Sequence, residues 1–67
     1  MLFKEKRISA SLTQNEAALQ LGVGRTTISM WETGESLPRA DLLPKIASLY
    51  ACTVDELLGG GKADLAS

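Results

Sequence analysis

Apolar residues recur along the chain in short bursts at helical spacing. Each burst is closed by a turn residue, and no stretch alternates with the two-residue period of a strand. The pattern predicts five short helices. The first spans Leu2 to Ser9, with Leu2, Phe3 and Ile8 on an apolar side opposite Lys4, Glu5 and Lys6. The second opens at Thr13, where Thr13-Gln14-Asn15-Glu16 has the form of a capping box, the threonine hydroxyl serving the Glu16 N–H and the Glu16 carboxylate reaching back. Its body runs to Leu21 with Ala17, Ala18 and Leu21 inward, and Gly22 can end it in a left-handed conformation. The third covers Arg25 to Glu32, with Ile28 and Trp31 on one face and Gly34 beyond its end. A loop with Pro38 leads to the fourth, Asp41 to Tyr50, where Pro44 sits in the first turn and removes no intrahelical bond. The fifth, Thr53 to Leu58, opens on a second capping box and stops at Gly59-Gly60-Gly61. The expectation is an all-α, compact orthogonal five-helix domain over residues 1–58, followed by a flexible tail over 59–67.

The stretch from Gln14 to Trp31 meets the demands of two helices joined by a tight turn at about 90–120°. A small residue, Ala18, stands where the helices would cross. Gly22 opens the turn and Val23 plugs it. Ile28 and Trp31 then face the first helix. On a helical wheel Thr26, Ser29, Met30 and Thr33 fall on the opposite side, with Arg25 at the N-terminal shoulder.

These residues resemble the phage-repressor and Cro-like helix-turn-helix family, also called the xenobiotic-response-element type. The resemblance covers about residues 2 to 58. Leu12-Thr13-Gln14 resembles the family's approach to its second helix and Trp31-Glu32-Thr33-Gly34 its exit from the third. Pro38, Leu43-Pro44-Lys45-Ile46-Ala47 and Val54-Asp55-Glu56-Leu57-Leu58 resemble its later helices. It implies a lambda-repressor-like fold that binds duplex DNA. Arg25, Thr26 and Met30 match positions that meet base edges in the major groove. Gln14 and Thr27 match positions at the groove edge, Thr33 matches the loop position whose backbone approaches a phosphate, and Ser29 is grouped with these backbone contacts. Arg7 and Glu32 match a family ion pair between the first and third helices. The chemistry suits those roles. Arginine can bond guanine O6 and N7 in bidentate fashion, threonine can exchange hydrogen bonds or pack on a thymine methyl, and methionine suits a thymine methyl. The sequence departs from the family at Gly24, where a serine or threonine cap is usual. It also departs at Ser11, Ala17 and Thr33, where glycine, leucine and asparagine are common.

Charge qualifies this reading. The chain of 67 residues has a formal net charge of −1 and a pI near 5.2, unlike a nonspecific DNA coater. Residues 1–31 carry Lys4, Lys6, Arg7 and Arg25 against Glu5 and Glu16. Residues 32–67 carry Arg39, Lys45 and Lys62 against Glu32, Glu35, Asp41, Asp55, Glu56 and Asp64. A DNA-facing surface is therefore expected from the first half. The acidic second half favours the alternative of an antitoxin-like or adaptor protein-interaction module on the same fold.

Other chemistry finds little support. There is no histidine, and Cys52 is the sole cysteine, which leaves no disulfide, no zinc ligand set and no nucleophile–base pair. No enzyme activity, metal or cofactor is expected. Asp55 and Glu56 read as first-turn capping residues, Trp31 as core and Cys52 as a small hydrophobe. No apolar run approaches the roughly 18 residues of a membrane span, and residues 1–7 lack the layout of a signal peptide. A cytoplasmic regulator without membrane contact is expected, acting as a homodimer on a pseudo-palindrome and repressing by promoter occlusion, since the chain has no room for an effector domain. Val54, Leu57 and Leu58 are candidates for the dimer contact, or equally for monomer core.

Overall fold

The computed structural model describes residues 1–59. In chain order it contains α1 (Phe3–Ser9), α2 (Gln14–Leu21), α3 (Arg25–Thr33), a 3-10 turn (Ala40–Leu42), α4 (Leu43–Leu49) and α5 (Val54–Leu57), and no strand among the described residues. Residues 60–67 of the expected tail lie outside the described residues.

Local chemistry accounts for the helix limits. Both capping boxes form. The Thr13 Oγ1 accepts from the Glu16 N–H at 3.0 Å while the Thr13 N–H donates to Glu16 Oε1 at 2.8 Å. Thr53 and Glu56 repeat this at the start of α5. Beyond the C-termini of α1, α2 and α4 the chain passes within two residues through one with positive φ, namely Ser11 (62°), Gly22 (72°) and Ala51 (57°). The next N–H then reaches back five residues, from Leu12 to Arg7, Val23 to Ala18 and Cys52 to Ala47. This Schellman geometry satisfies carbonyls that the helix cannot.

The core joins Phe3 of α1, Ala17 and Ala18 of α2, Ile28 and Trp31 of α3, Ile46, Ala47 and Tyr50 at α4, and Leu57 of α5. The Phe3 and Trp31 rings sit 6.2 Å apart in a tilted arrangement, a favourable aromatic geometry. The α2 and α3 helices pack together, and the buried Ala17 and Ala18 of α2 keep the side chains on its inner face small, as a close approach requires. The Leu2 N–H donates to the Leu57 carbonyl at 2.9 Å and so ties the chain start to α5.

Two expectations are corrected, and one open choice, dimer contact or monomer core for Leu57, is resolved as core. Ile8 is 56% exposed, while Arg7 is buried. The inward stripe of α1 is Phe3 and Arg7, one turn apart, and Ile8 lies about 100° round from it. The expected fourth helix divides into the 3-10 turn and α4, and Pro44 stands in the first turn of α4. An unbroken helix from Asp41 would present the Ala40 carbonyl to a proline nitrogen with no hydrogen, and a tighter turn avoids that. Leu57 is fully buried in the core, which removes it from any dimer surface, whereas Leu58 remains 38% exposed and Val54 is half-buried.

Candidate nucleic-acid interface

The α2–turn–α3 unit presents the outer face of α3. With Ile28 and Trp31 fixing the core direction at about 100° per residue, Thr26 and Thr33 lie roughly 170° away, Ser29 and Met30 roughly 130°, Arg25 roughly 90°, and Thr27 and Glu32 roughly 70°. Burial follows this order except at the helix start, where Arg25 is exposed although Ser29 and Met30, farther from the core direction, are half-buried. Arg25, Thr26 and Thr33 are exposed, and Ser29, Met30, Thr27 and Glu32 are half-buried. The expectation that Ser29 and Met30 are fully outward is therefore corrected: they flank an outer ridge formed by Thr26 and Thr33.

Gly24 caps α3 in extended backbone (φ −80°, ψ 156°) without a side-chain hydrogen bond. At the other end Gly34 takes a left-handed conformation (φ 87°), and its N–H donates to the Met30 carbonyl. The Thr33 hydroxyl lies within donating distance of the same carbonyl (3.2 Å) and of Glu35 Oε1 (3.3 Å). A carboxylate thus stands beside the position expected to approach a phosphate.

One hydrogen-bonded chain supports the face from behind. Arg7 Nε and Nη2 donate to Glu32 Oε2 and Oε1 at 2.5 and 3.2 Å, and Arg7 Nη1 donates to the Leu12 carbonyl at 2.7 Å. Gln14 Nε2 donates to Glu32 Oε1 at 3.0 Å. The exposed Arg25 Nη1 donates to Gln14 Oε1 at 3.2 Å. Burial pushes the Glu32 carboxyl up, but hydrogen bonds from Arg7 and Gln14 and the charges of Arg7 and Lys4 outweigh it, so its pKa lies below the ordinary value. The bond to Glu32 outweighs desolvation at Arg7 and raises its pKa. Burial, reinforced by the Glu32 charge and opposed by Arg7, pushes the Tyr50 phenol up to about 12. Burial also raises the Cys52 thiol.

The only acid on α3 is therefore turned inward and neutralised, and the outer face carries Arg25 as its cation. Sequence reasoning missed the two bonds of Gln14. Its partners lie 11 and 18 residues away. The one available signal was that Gln14 and Arg25 each begin a helix of the same motif. Among the described residues no three acids or cysteines group as a metal site, and no helix is long and apolar enough to cross a membrane.

Residues 3–57 match the model of a family described as Helix-turn-helix. Over 64 residues the chain is 44% identical to the HTH-type transcriptional activator BcrR of Enterococcus faecalis, covering 90% of this chain and 31% of that protein. Over 56 residues it is 41% identical to the HTH-type transcriptional regulator ImmR of Bacillus subtilis (strain 168), covering 84% and 44%. Over 62 residues it is 27% identical to the cryptic phage CTXphi transcriptional repressor RstR of Vibrio cholerae, covering 92% and 56%. The chain spans between about a third and just over half the length of these relatives. No solved structure gives a significant match.

Proposed function

This chain belongs to the helix-turn-helix family, a family of DNA-binding proteins rather than enzymes, and on that premise we propose that it is a sequence-specific transcriptional regulator that reads duplex DNA with α3. The observation that carries this reading is the outer face of α3. Arg25, Thr26, Ser29, Met30 and Thr33 follow one another along it, and the helix's one acid is bonded to Arg7 on the inner side. With α3 in the major groove, Arg25 bonds a guanine edge while Thr26 and Met30 meet neighbouring base edges. Gln14, Thr27, Ser29 and Thr33 meet the backbone. The protein acts as a homodimer on half-sites about 34 Å apart. Occupancy of a promoter by such a dimer excludes polymerase, so repression is the expected sign. Activation of a promoter fusion by the bound protein would overturn that sign.

The net charge of −1 favours a second reading, a protein-interaction module with DNA binding lost. Selection from a random duplex library separates the two. A palindromic sequence bound about 10³-fold or more tighter than scrambled DNA, and weakened by salt, supports the regulator. The double substitution Arg25→Ala with Thr26→Ala should abolish that preference. Absence of any enriched sequence supports the interaction module, and full operator affinity in the double variant would refute the assignment of the α3 face.

A further inference from the structure

We propose that Glu35 is an electrostatic brake on DNA binding, a carboxylate set against the phosphate that the end of α3 approaches. The inference rests on the DNA-binding reading above. Its physical basis is a count of donors and acceptors at the α3 exit. The Met30 carbonyl has two lone pairs, and the Gly34 and Ser36 N–H groups donate to it at 3.0 and 3.3 Å. The Thr33 hydroxyl has one hydrogen, and its two acceptors are that carbonyl at 3.2 Å and Glu35 Oε1 at 3.3 Å. With the carbonyl already served, the hydrogen goes to the carboxylate, the stronger acceptor. Thr33 then turns lone pairs outward. No cation pairs with Glu35 among the described residues, and Arg39, the next cation along the chain, pairs with Asp41 at 3.5 Å.

A phosphate oxygen is negative and only accepts hydrogen bonds. At this corner it meets further acceptors, an exposed carboxylate and the negative end of the α3 dipole, with no basic residue in the last helical turn. A recognition helix turns its N-terminal residues to the bases, so the α3 exit lies towards the sugar-phosphate backbone. Docking there brings two like charges together and contests the Thr33 hydrogen. Like charges about 6 Å apart, at an effective dielectric constant of about 40 to 80, weaken binding by about 3- to 10-fold. Arg25 stands at the other end of the helix, so the face is polarised, attractive at the start of α3 and repulsive at its exit. Base reading must then supply a larger share of the affinity.

The test measures binding of wild type, Glu35→Ala and Asp55→Asn to the selected operator, its single-base-pair variants and scrambled DNA, at about 50 and about 300 mM salt. Alanine removes the carboxylate and adds no donor, while Asp55→Asn makes the same change in net charge on α5. Glu35→Ala should bind every duplex more tightly at the lower salt, by about 3- to 10-fold for each half-site. Asp55→Asn should gain less than about 2-fold, because exposed charges beyond a Debye length are screened. The Glu35→Ala gain should shrink at the higher salt for the same reason. Base preferences should keep their size, since a phosphate contact carries no sequence information. Glu35→Gln replaces the alanine variant if that one loses its fold. Unchanged or weaker binding of Glu35→Ala would overturn the brake, and so would an equal gain in Asp55→Asn, which would mark an effect of net charge alone. A preference lost at one pair only would also overturn it and make Glu35 the acceptor for a cytosine amino group. If neither wild type nor Glu35→Ala binds any duplex, the DNA-binding reading falls, and this inference with it.

Discussion

The Arg7 guanidinium and the Glu32 carboxylate are 25 residues apart in sequence and meet through two hydrogen bonds, their side chains 10% and 5% exposed. A charge removed from water this far is costly unless it is paired, and removing one member of such a pair typically costs about 3–5 kcal/mol. A domain of this size has only a few kcal/mol of net stability. Arg7→Met should therefore leave the protein largely unfolded at 25 °C. Arg7→Met with Glu32→Leu should recover at least half of the loss, because both charges leave together. Urea unfolding followed by far-UV circular dichroism would decide this, and a double variant no more stable than Arg7→Met would refute the account.

The same pair sets a response to acid. Glu32 has a folded-state pKa below its ordinary value. Its carboxylate then contributes stability that is complete above the ordinary range, near pH 4.5, and is lost as the pH falls through the lower folded value. Glu32→Gln should thus be less stable than wild type at pH 7, with the difference shrinking steadily below about pH 4.5. Unfolding free energies at pH 7, 5, 4 and 3 would check this. A difference that stayed constant over that range would place the effect in packing instead of charge.

How much of this was legible in the sequence depended on the range of each interaction. The capping boxes at Thr13 and Thr53, the glycine turn and the inward pair Ile28 and Trp31 are set within one or two helical turns, and each is present in the fold. Ile8 was misplaced because a hydrophobicity pattern assigns an arginine to solvent, whereas Arg7 turns inward towards a partner on α3. Leu57 and Leu58 could not be told apart from pattern alone, since the choice depends on how α5 docks beside Leu2. The link from Glu32 through Gln14 to Arg25 spans three separate helix positions and has no periodic signature.

The Schellman turns give a third prediction. Ser11 and Ala51 hold φ values of 62° and 57°, where a side chain is strained, while Gly22 fills the equivalent place after α2 without that cost. Glycine at either position would relieve about 1 kcal/mol of left-handed strain, partly offset by a more flexible unfolded chain. Ser11→Gly and Ala51→Gly should each stabilise by about 0.5 kcal/mol, a rise of roughly 2–4 °C in Tm. Gly22→Ala should move Tm the other way. Calorimetry of the three variants would test the set, and a fall in Tm for both new glycines would show that Ser11 and Ala51 make compensating contacts.

Gly24 gives the opposite case, a glycine where a side chain would help. It caps α3 with φ −80°, which any residue adopts, it offers no side-chain acceptor, and a Cβ added there would meet nothing within 4 Å. A serine hydroxyl could accept from an N–H of the first turn and satisfy one donor left open at the helix start. Gly24→Ser should therefore stabilise the domain by a few tenths of a kcal/mol. The same change competes for first-turn N–H groups that lie next to Arg25, at the end of the helix proposed to enter the groove. If a phosphate uses those N–H groups, the more stable variant will bind the selected operator more weakly, and equally so across its single-base-pair variants. If none does, affinity will hold or rise slightly with helix order. Measuring Tm and operator affinity on the one variant separates these outcomes, and a loss of Tm would refute the cap argument.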